Sequence, residues 1–138
     1  MIDFGSAHEG VLLRDPAALE ASLVVDSLEN NDDVDAWIKD VGALYSESAL
    51  TSALPHGDPK SRWAWLHDCL RPIRRFASEM ESEPRQYAVA VAAALLFKAS
   101  KDGLAPEPGA TARAAACLFA ERALDVAEGH THAPTVAS

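Results

Sequence analysis

At 138 residues and a formal net charge of −9, the chain has the length of one domain and a charge that nucleic acid and anionic membrane both repel. That length buries roughly two-thirds of the unfolded surface, and a hydrophobic fraction of 49% excludes a disordered composition. The acidity suits solubility and equally a cationic partner surface. Cys69 and Cys117 lie far apart in apolar pattern with no CxxC spacing and read as buried free thiols. The first residues, MIDFGSAHEG, carry acids where the basic region of a signal peptide would stand, so the expected location is cytoplasmic.

Residues 1–14, with Ile2, Phe4, Val11, Leu12 and Leu13 around a Gly/Ser/His segment, predict an extended N-terminal arm. Residues 15–129 predict a helical bundle domain, and 130–138 a polar, flexible tail. Asp15-Pro16 is a cap followed by a helix-starting proline. The helix it opens runs to about Glu29, with Leu19 and Leu23 inward, Val24 and Leu28 as further candidates for the same stripe, and Asn30-Asn31 as its end. Asp32 or Asp33 caps a second helix, in which Val34, Trp37, Ile38, Val41, Leu44 and Tyr45 recur at helical spacing. A short segment from Glu47 to Leu54 precedes the break at Pro55-His56-Gly57.

Asp58-Pro59 repeats the cap-and-proline signal and predicts a helix over Pro59 to Glu81. On a wheel of about 100° per residue, Trp63, Leu66, Leu70, Ile73, Ala77 and Met80 gather on one side, and Trp65, Cys69 and Phe76 extend that arc. His67, Asp68, Arg71, Arg74, Arg75, Ser78 and Glu79 are assigned to the other. Pro72, mid-helix, predicts a kink. Trp63 and Trp65 point about 160° apart and cannot share a pocket; they read first as core filling, with an interface position for one of them as the alternative.

Tyr87 to Phe97, YAVAVAAALLF, is eleven residues without a polar side chain other than a phenol. Pro84 and Gly103 bracket it, and alanine favours a helix. The run is shorter than the ~20 residues that cross a bilayer. It predicts a central helix over about 84–101, covered by neighbours on every side. The connector Leu104 to Gly109 leads to a last helix from about Ala110 to Glu128, striped by Ala112, Ala116, Phe119, Ala123 and Val126 and stopped at Gly129. No stretch alternates with period two. The predicted fold is therefore all-α, one domain of five to six helices around the 84–101 segment.

Chemistry-bearing patterns are sparse. The chain contains no GxSxG, HExxH, phosphate-cradling glycine loop or dinucleotide fingerprint. His130-Thr131-His132 lacks a neighbouring carboxylate or thiolate, and His56-Gly57-Asp58 is explained by a turn and a cap. No catalytic residue, metal site or cofactor is expected, and the chain reads as a non-enzymatic protein. The distinctive feature is cationic. Trp65, His67, Arg71, Arg74 and Arg75 form the candidate partner-binding face on the Trp63–Arg75 helix. One reading is a solvated face whose arginines pair with Glu79, Glu81, Glu83 and acids on adjacent helices. The other is a docking patch for an acidic segment or a phosphate, since guanidinium groups bind both bidentately.

Ser48 to Leu70, SALTSALPHGDPKSRWAWLHDCL, resembles the "ALP…WW" helix-turn-helix of a bacterial all-helical family of unknown function. Ala77 to Ala99, then Gly103-Leu104-Ala105-Pro106 and ATARAAACLFAERAL, is similar to that family's next two helices and their "SLAPP" connector. The likeness spans about residues 49–124. The chain departs in having Trp-Ala-Trp in place of adjacent tryptophans, and a shorter connector. Such proteins are associated with type VI secretion gene neighbourhoods. The resemblance thus implies a protein–protein interaction module, an accessory or adaptor of a secretion apparatus, and it carries no catalytic residues over. The partner expected is another protein, a secretion component among the candidates, with no nucleic acid and no membrane insertion; self-association stays open. The alternatives are an immunity-type inhibitor of a toxin and a ligand-binding or enzymatic bundle with its site between the helices.

Overall fold

The computed structural model describes residues 4–51, 54, 57–83, 85–100 and 108–129, with side chains from residue 13 onward. Pro55, His56, Pro84, Gly103, the start of the connector and the 130–138 tail lie outside the described residues, as do the first three residues of the expected arm. The described residues hold no strand and build an all-α single domain from α1 (Phe4–Asp26), α2 (Val34–Gly42), a 3-10 turn (Ala43–Tyr45), α3 (Glu47–Thr51), α4 (Ala64–Met80), α5 (Gln86–Ser100) and α6 (Gly109–Ala127). α5 packs along both α6 and α1, and α1 also meets α4 and α6. The 3-10 turn and α3 close the bundle against α6.

The second and last helices follow their sequence signals. Asp33 Oδ1 accepts from the N–H groups of Asp35 and Ala36 at 3.0 and 3.3 Å, filling two of the donors a helix start leaves open. Trp37, Val41, Leu44 and Tyr45 are buried, as is the α6 stripe Ala112, Ala116, Phe119, Ala123 and Val126. Phe119 stacks on Tyr45, centroids 5.6 Å apart at 15°, and tilts against Trp37 at 5.5 Å. Gly42 lies close beneath this pair: a Cβ there would press on the Phe119 ring at 3.3 Å and displace the end of the Arg122 side chain. Gly129, at φ 78°, closes α6 in the left-handed conformation glycine takes at little cost.

Three expectations are corrected. The extended arm is largely helix: α1 begins at Phe4 and carries Pro16 inside it. A proline in a helix interior deprives the carbonyl four residues back of its donor. Here burial of Leu13, Pro16 and Ala17 holds the turns on either side against the core. The inward stripe runs Leu13, Ala17, Glu20/Ala21, Val24 and Leu28, while Leu19 faces out. Second, α4 starts at Ala64 and not Pro59. Asp58 caps a turn through the Lys60 N–H at 2.9 Å. Tertiary bonds then fix the approach: Ser61 Oγ donates to Asp40 at 2.8 Å, Arg62 forks onto Asp32 and Glu29, and Trp63 Nε1 donates to the Ser27 carbonyl at 3.1 Å.

Third, among the described residues α5 is covered chiefly by α1 and α6. Tyr87, Ala88, Val91, Ala92 and Leu95 are buried, but Val89, Ala93, Leu96 and Phe97 form an exposed apolar stripe, Phe97 at 64%. An all-apolar helix has no polar stripe to mark its outer side, so the pattern could not show which third was left bare. Phe97→Ser is accordingly expected to change stability by no more than about 0.5 kcal/mol. Leu95→Ala, at a site with no exposure, should cost about 2–5 kcal/mol. Urea unfolding followed by circular dichroism separates the two.

Candidate functional site: an arginine-lined cleft above a buried ion pair

α4 presents its stripe Trp63, Leu66, Leu70 and Ala77 to the core, and Arg74 stands on that same stripe, four residues beyond Leu70. The assignment of Arg74 to the outward face is therefore corrected. Its guanidinium is 9% exposed and meets Glu20 of α1, which is 0% exposed. The contact is a fork: Nε donates to Glu20 Oε1 at 3.0 Å and Nη2 to Oε2 at 2.6 Å. Nη1 donates to the carbonyls of Leu44 and Ala49 at 2.9 and 3.2 Å. Tyr45 Oη donates to Glu20 Oε2 at 2.7 Å, and Tyr87 Oη lies 3.0 Å from Oε1 and 3.2 Å from the Pro16 carbonyl. The guanidinium also covers the Tyr45 ring at 5.3 Å.

These contacts set the protonation states. Burial alone would raise the Glu20 carboxyl, but the Arg74 charge and the bonds from Arg74, Tyr45 and Tyr87 outweigh it and hold the group below its ordinary value. Burial and then the Glu20 charge push both Tyr45 and Tyr87 up, so both phenols stay protonated. Burial works against the charged form of Arg74, and Glu20 more than offsets this, so the guanidinium stays charged. The result is a satisfied polar knot joining α1, α4, α5, the 3-10 turn and α3. Sealed in this way, it is a structural element and offers no reactive group to solvent.

The knot is the floor of a cleft of about 760 Å³, within the range of small-ligand and peptide-anchor sites. Arg71, Arg74 and Arg75 of α4 and Arg85 of the α4–α5 connection line it, with Glu81 as the acid among them. Ala49, Leu50 and Leu54 supply an apolar wall. Glu81 Oε2 accepts the Tyr87 N–H at 2.6 Å, so this carboxylate is engaged in capping α5. Arg71 pairs with Asp68 at 3.0 Å, and Arg85 stands 3.8 Å from Glu47. Arg85 has φ 67°, a conformation that costs a side-chain-bearing residue about 1–2 kcal/mol.

Of the five residues assigned to the partner face, the structure thus brings Arg71, Arg74 and Arg75 to one cleft and leaves Trp65 and His67 off its lining. Trp65 is 42% exposed and stands with Cys69 and Phe76 on the side of α4 turned from the core. These three were expected to widen the buried arc. Cys69 and Cys117 are both exposed free thiols, against the expectation of burial. Burial, and next the Arg74 charge, hold His67 below the usual imidazole value, with Asp40 and Asp68 pulling the other way. It therefore adds no positive charge at neutral pH. Arg85 was missed, because nothing in the sequence brings the α4–α5 connection over α3.

Among the described residues no group of three or more His, Cys, Asp or Glu side chains is arranged to hold a metal ion, and no helix is long and apolar enough to cross a membrane. Fold and cleft together define a small all-helical domain with an arginine-lined recess. Comparison with known protein families, with curated proteins and with solved structures finds no match for this chain.

Proposed function

We propose that the chain is a non-enzymatic protein–protein interaction module that seats an acidic segment of another protein in the arginine-lined cleft. One observation carries the reading. Arg71, Arg75 and Arg85 line a single recess in a molecule of net charge −9, with Arg74 neutralised by Glu20 at its floor. An acidic exterior keeps anions away in general, so a local cationic recess confers selectivity on the site that attracts them. The apolar wall of Ala49, Leu50 and Leu54 suits the non-polar side chains that flank acids in a peptide. The narrower form of the proposal, an accessory or adaptor of a bacterial secretion apparatus, draws support from the sequence resemblance over residues 49–124, the stretch that supplies nearly all of the lining.

The test uses a fluorescein-labelled peptide library with three glutamates among randomised neutral positions, titrated with the full chain. Saturable binding that weakens with added salt is expected. The Arg75→Glu/Arg85→Glu variant should bind about 10- to 100-fold more weakly, the loss of one or two charge-assisted hydrogen bonds, with far-UV circular dichroism unchanged. Equal affinity in the variant, or no saturable binding by the native chain, overturns the proposal.

A further inference from the structure

Resting on that reading, we infer that the group the cleft receives is a phosphomonoester on the partner segment, and not a carboxylate. The argument begins with charge inside the lining. Arg74 is cancelled by Glu20 beneath it. Arg71, Arg75 and Arg85 then face Glu81, leaving three positive charges against one negative, a net of +2. A carboxylate carries a single negative charge. A phosphomonoester carries about −1.5 to −2 at neutral pH on one compact group with three acceptor oxygens.

Two acids just outside the lining, Asp68 and Glu47, offset part of this charge until a stronger anion displaces them. Asp68 holds Arg71, and Glu47 approaches Arg85, on partly exposed side chains, where ion pairs contribute little. The Arg85–Glu47 separation of 3.8 Å is loose, so Arg85 can turn to an incoming anion at little cost. Glu81 is held elsewhere by the Tyr87 N–H.

Arg85 adds an independent sign. Its left-handed backbone is a conformation glycine would adopt without strain, yet the position holds an arginine whose side chain lines the recess. Strained residues of this kind gather where geometry serves a ligand. Arginine clusters of this composition are a recurrent mode of phosphoryl recognition, because planar forks pair with two oxygens at once.

The experiment titrates the full chain with three versions of one degenerate 12-residue peptide library, carrying at its centre phosphoserine, glutamate or serine, and with phenyl phosphate as a free competitor. The phosphoserine library is expected to bind about tenfold or more tightly than the glutamate library, and phenyl phosphate to compete only at much higher concentration. Arg85→Gly should lower phosphoserine-library affinity by about tenfold while its melting temperature stays equal or rises, separating lost contact from lost fold. Equal affinity for phosphoserine and glutamate libraries overturns the phosphomonoester and leaves the acidic-segment reading standing. No binding of either library overturns both. Phenyl phosphate binding as tightly as the phosphoserine library overturns the partner-borne source, in favour of a free phosphate compound.

Discussion

Arg74→Leu, or Glu20→Leu, is expected to destabilise the fold by about 3–5 kcal/mol, because either change strands the opposite charge in a dry interior. Small domains have only about 5–15 kcal/mol in all, so these variants should unfold at much lower urea. Shape is not the issue, since leucine fills much of either site. The Glu20→Leu/Arg74→Leu double variant removes both charges and is expected to recover only part of the loss. It leaves the Tyr45 hydroxyl and the Leu44 and Ala49 carbonyls without the Glu20 and Arg74 partners they now have, while Tyr87 keeps the Pro16 carbonyl. A buried group left unpaired costs about 1–3 kcal/mol. Urea midpoints for the two single variants and the double give the coupling directly; a double variant as stable as the native chain would remove the knot from the account of stability.

The same cluster sets the response to pH. The Glu20 carboxyl lies below its ordinary value in the folded state, with 4.5 the reference for the unfolded chain. Its stabilisation is complete above that reference and is lost as the pH falls through the depressed folded value. Native stability should therefore drop below about pH 4.5 more steeply than that of Glu20→Leu. Tyr45 and Tyr87 are raised above the ordinary phenol value of 10.0. The stability they contribute is complete below that value and is lost as the pH rises towards their folded values. A urea-midpoint series from acid to alkaline pH checks both flanks.

Phe119→Ala is expected to cost about 3–5 kcal/mol. Phe119 is fully buried and joins α6 to α2 and the 3-10 turn through rings on two sides. Removing it leaves a cavity that Trp37 and Tyr45 cannot fill without leaving their own bonds to Ser27 and Glu20, at 2.8 and 2.7 Å. The aromatic pairs add about 0.5–1.5 kcal/mol beyond area. Phe119→Leu should cost much less, about 1.5 kcal/mol. Near-UV circular dichroism, which reports the packing of Trp37 and Tyr45, should weaken in Phe119→Ala while the far-UV signal persists.

Much of the bundle could be read in advance. Period-3.6 stripes located α2 and α6 and their core residues, since each stripe is uniformly apolar and each helix has a marked boundary, Asp33 at one and Gly129 at the other. The arginines of α4 were visible as a group, and Arg71 and Arg75 do border the cleft. The position of Arg74 was also present in the pattern: Leu66, Leu70 and Arg74 are four apart, and Glu20 sits likewise on the Leu13, Ala17, Val24 stripe of α1. A lone charge at a core register, matched by the opposite sign on another helix, is the signature of a buried pair. The expectation that charged residues face water hid it.

What the chain determines by itself is its helices, because propensity, caps and apolar period are properties of neighbouring residues. Which side of α5 stays bare, whether Pro16 begins a helix or lies within one, and where a helix begins after Asp58-Pro59 were settled only by packing. The ion pair shows why. Glu20 and Arg74 are each unfavourable inside alone, and they become stabilising only when the fold brings α1 against α4, 54 residues apart in sequence. The cleft has the same origin, since Arg85 reaches the α4 arginines through the folded connection and by no local rule.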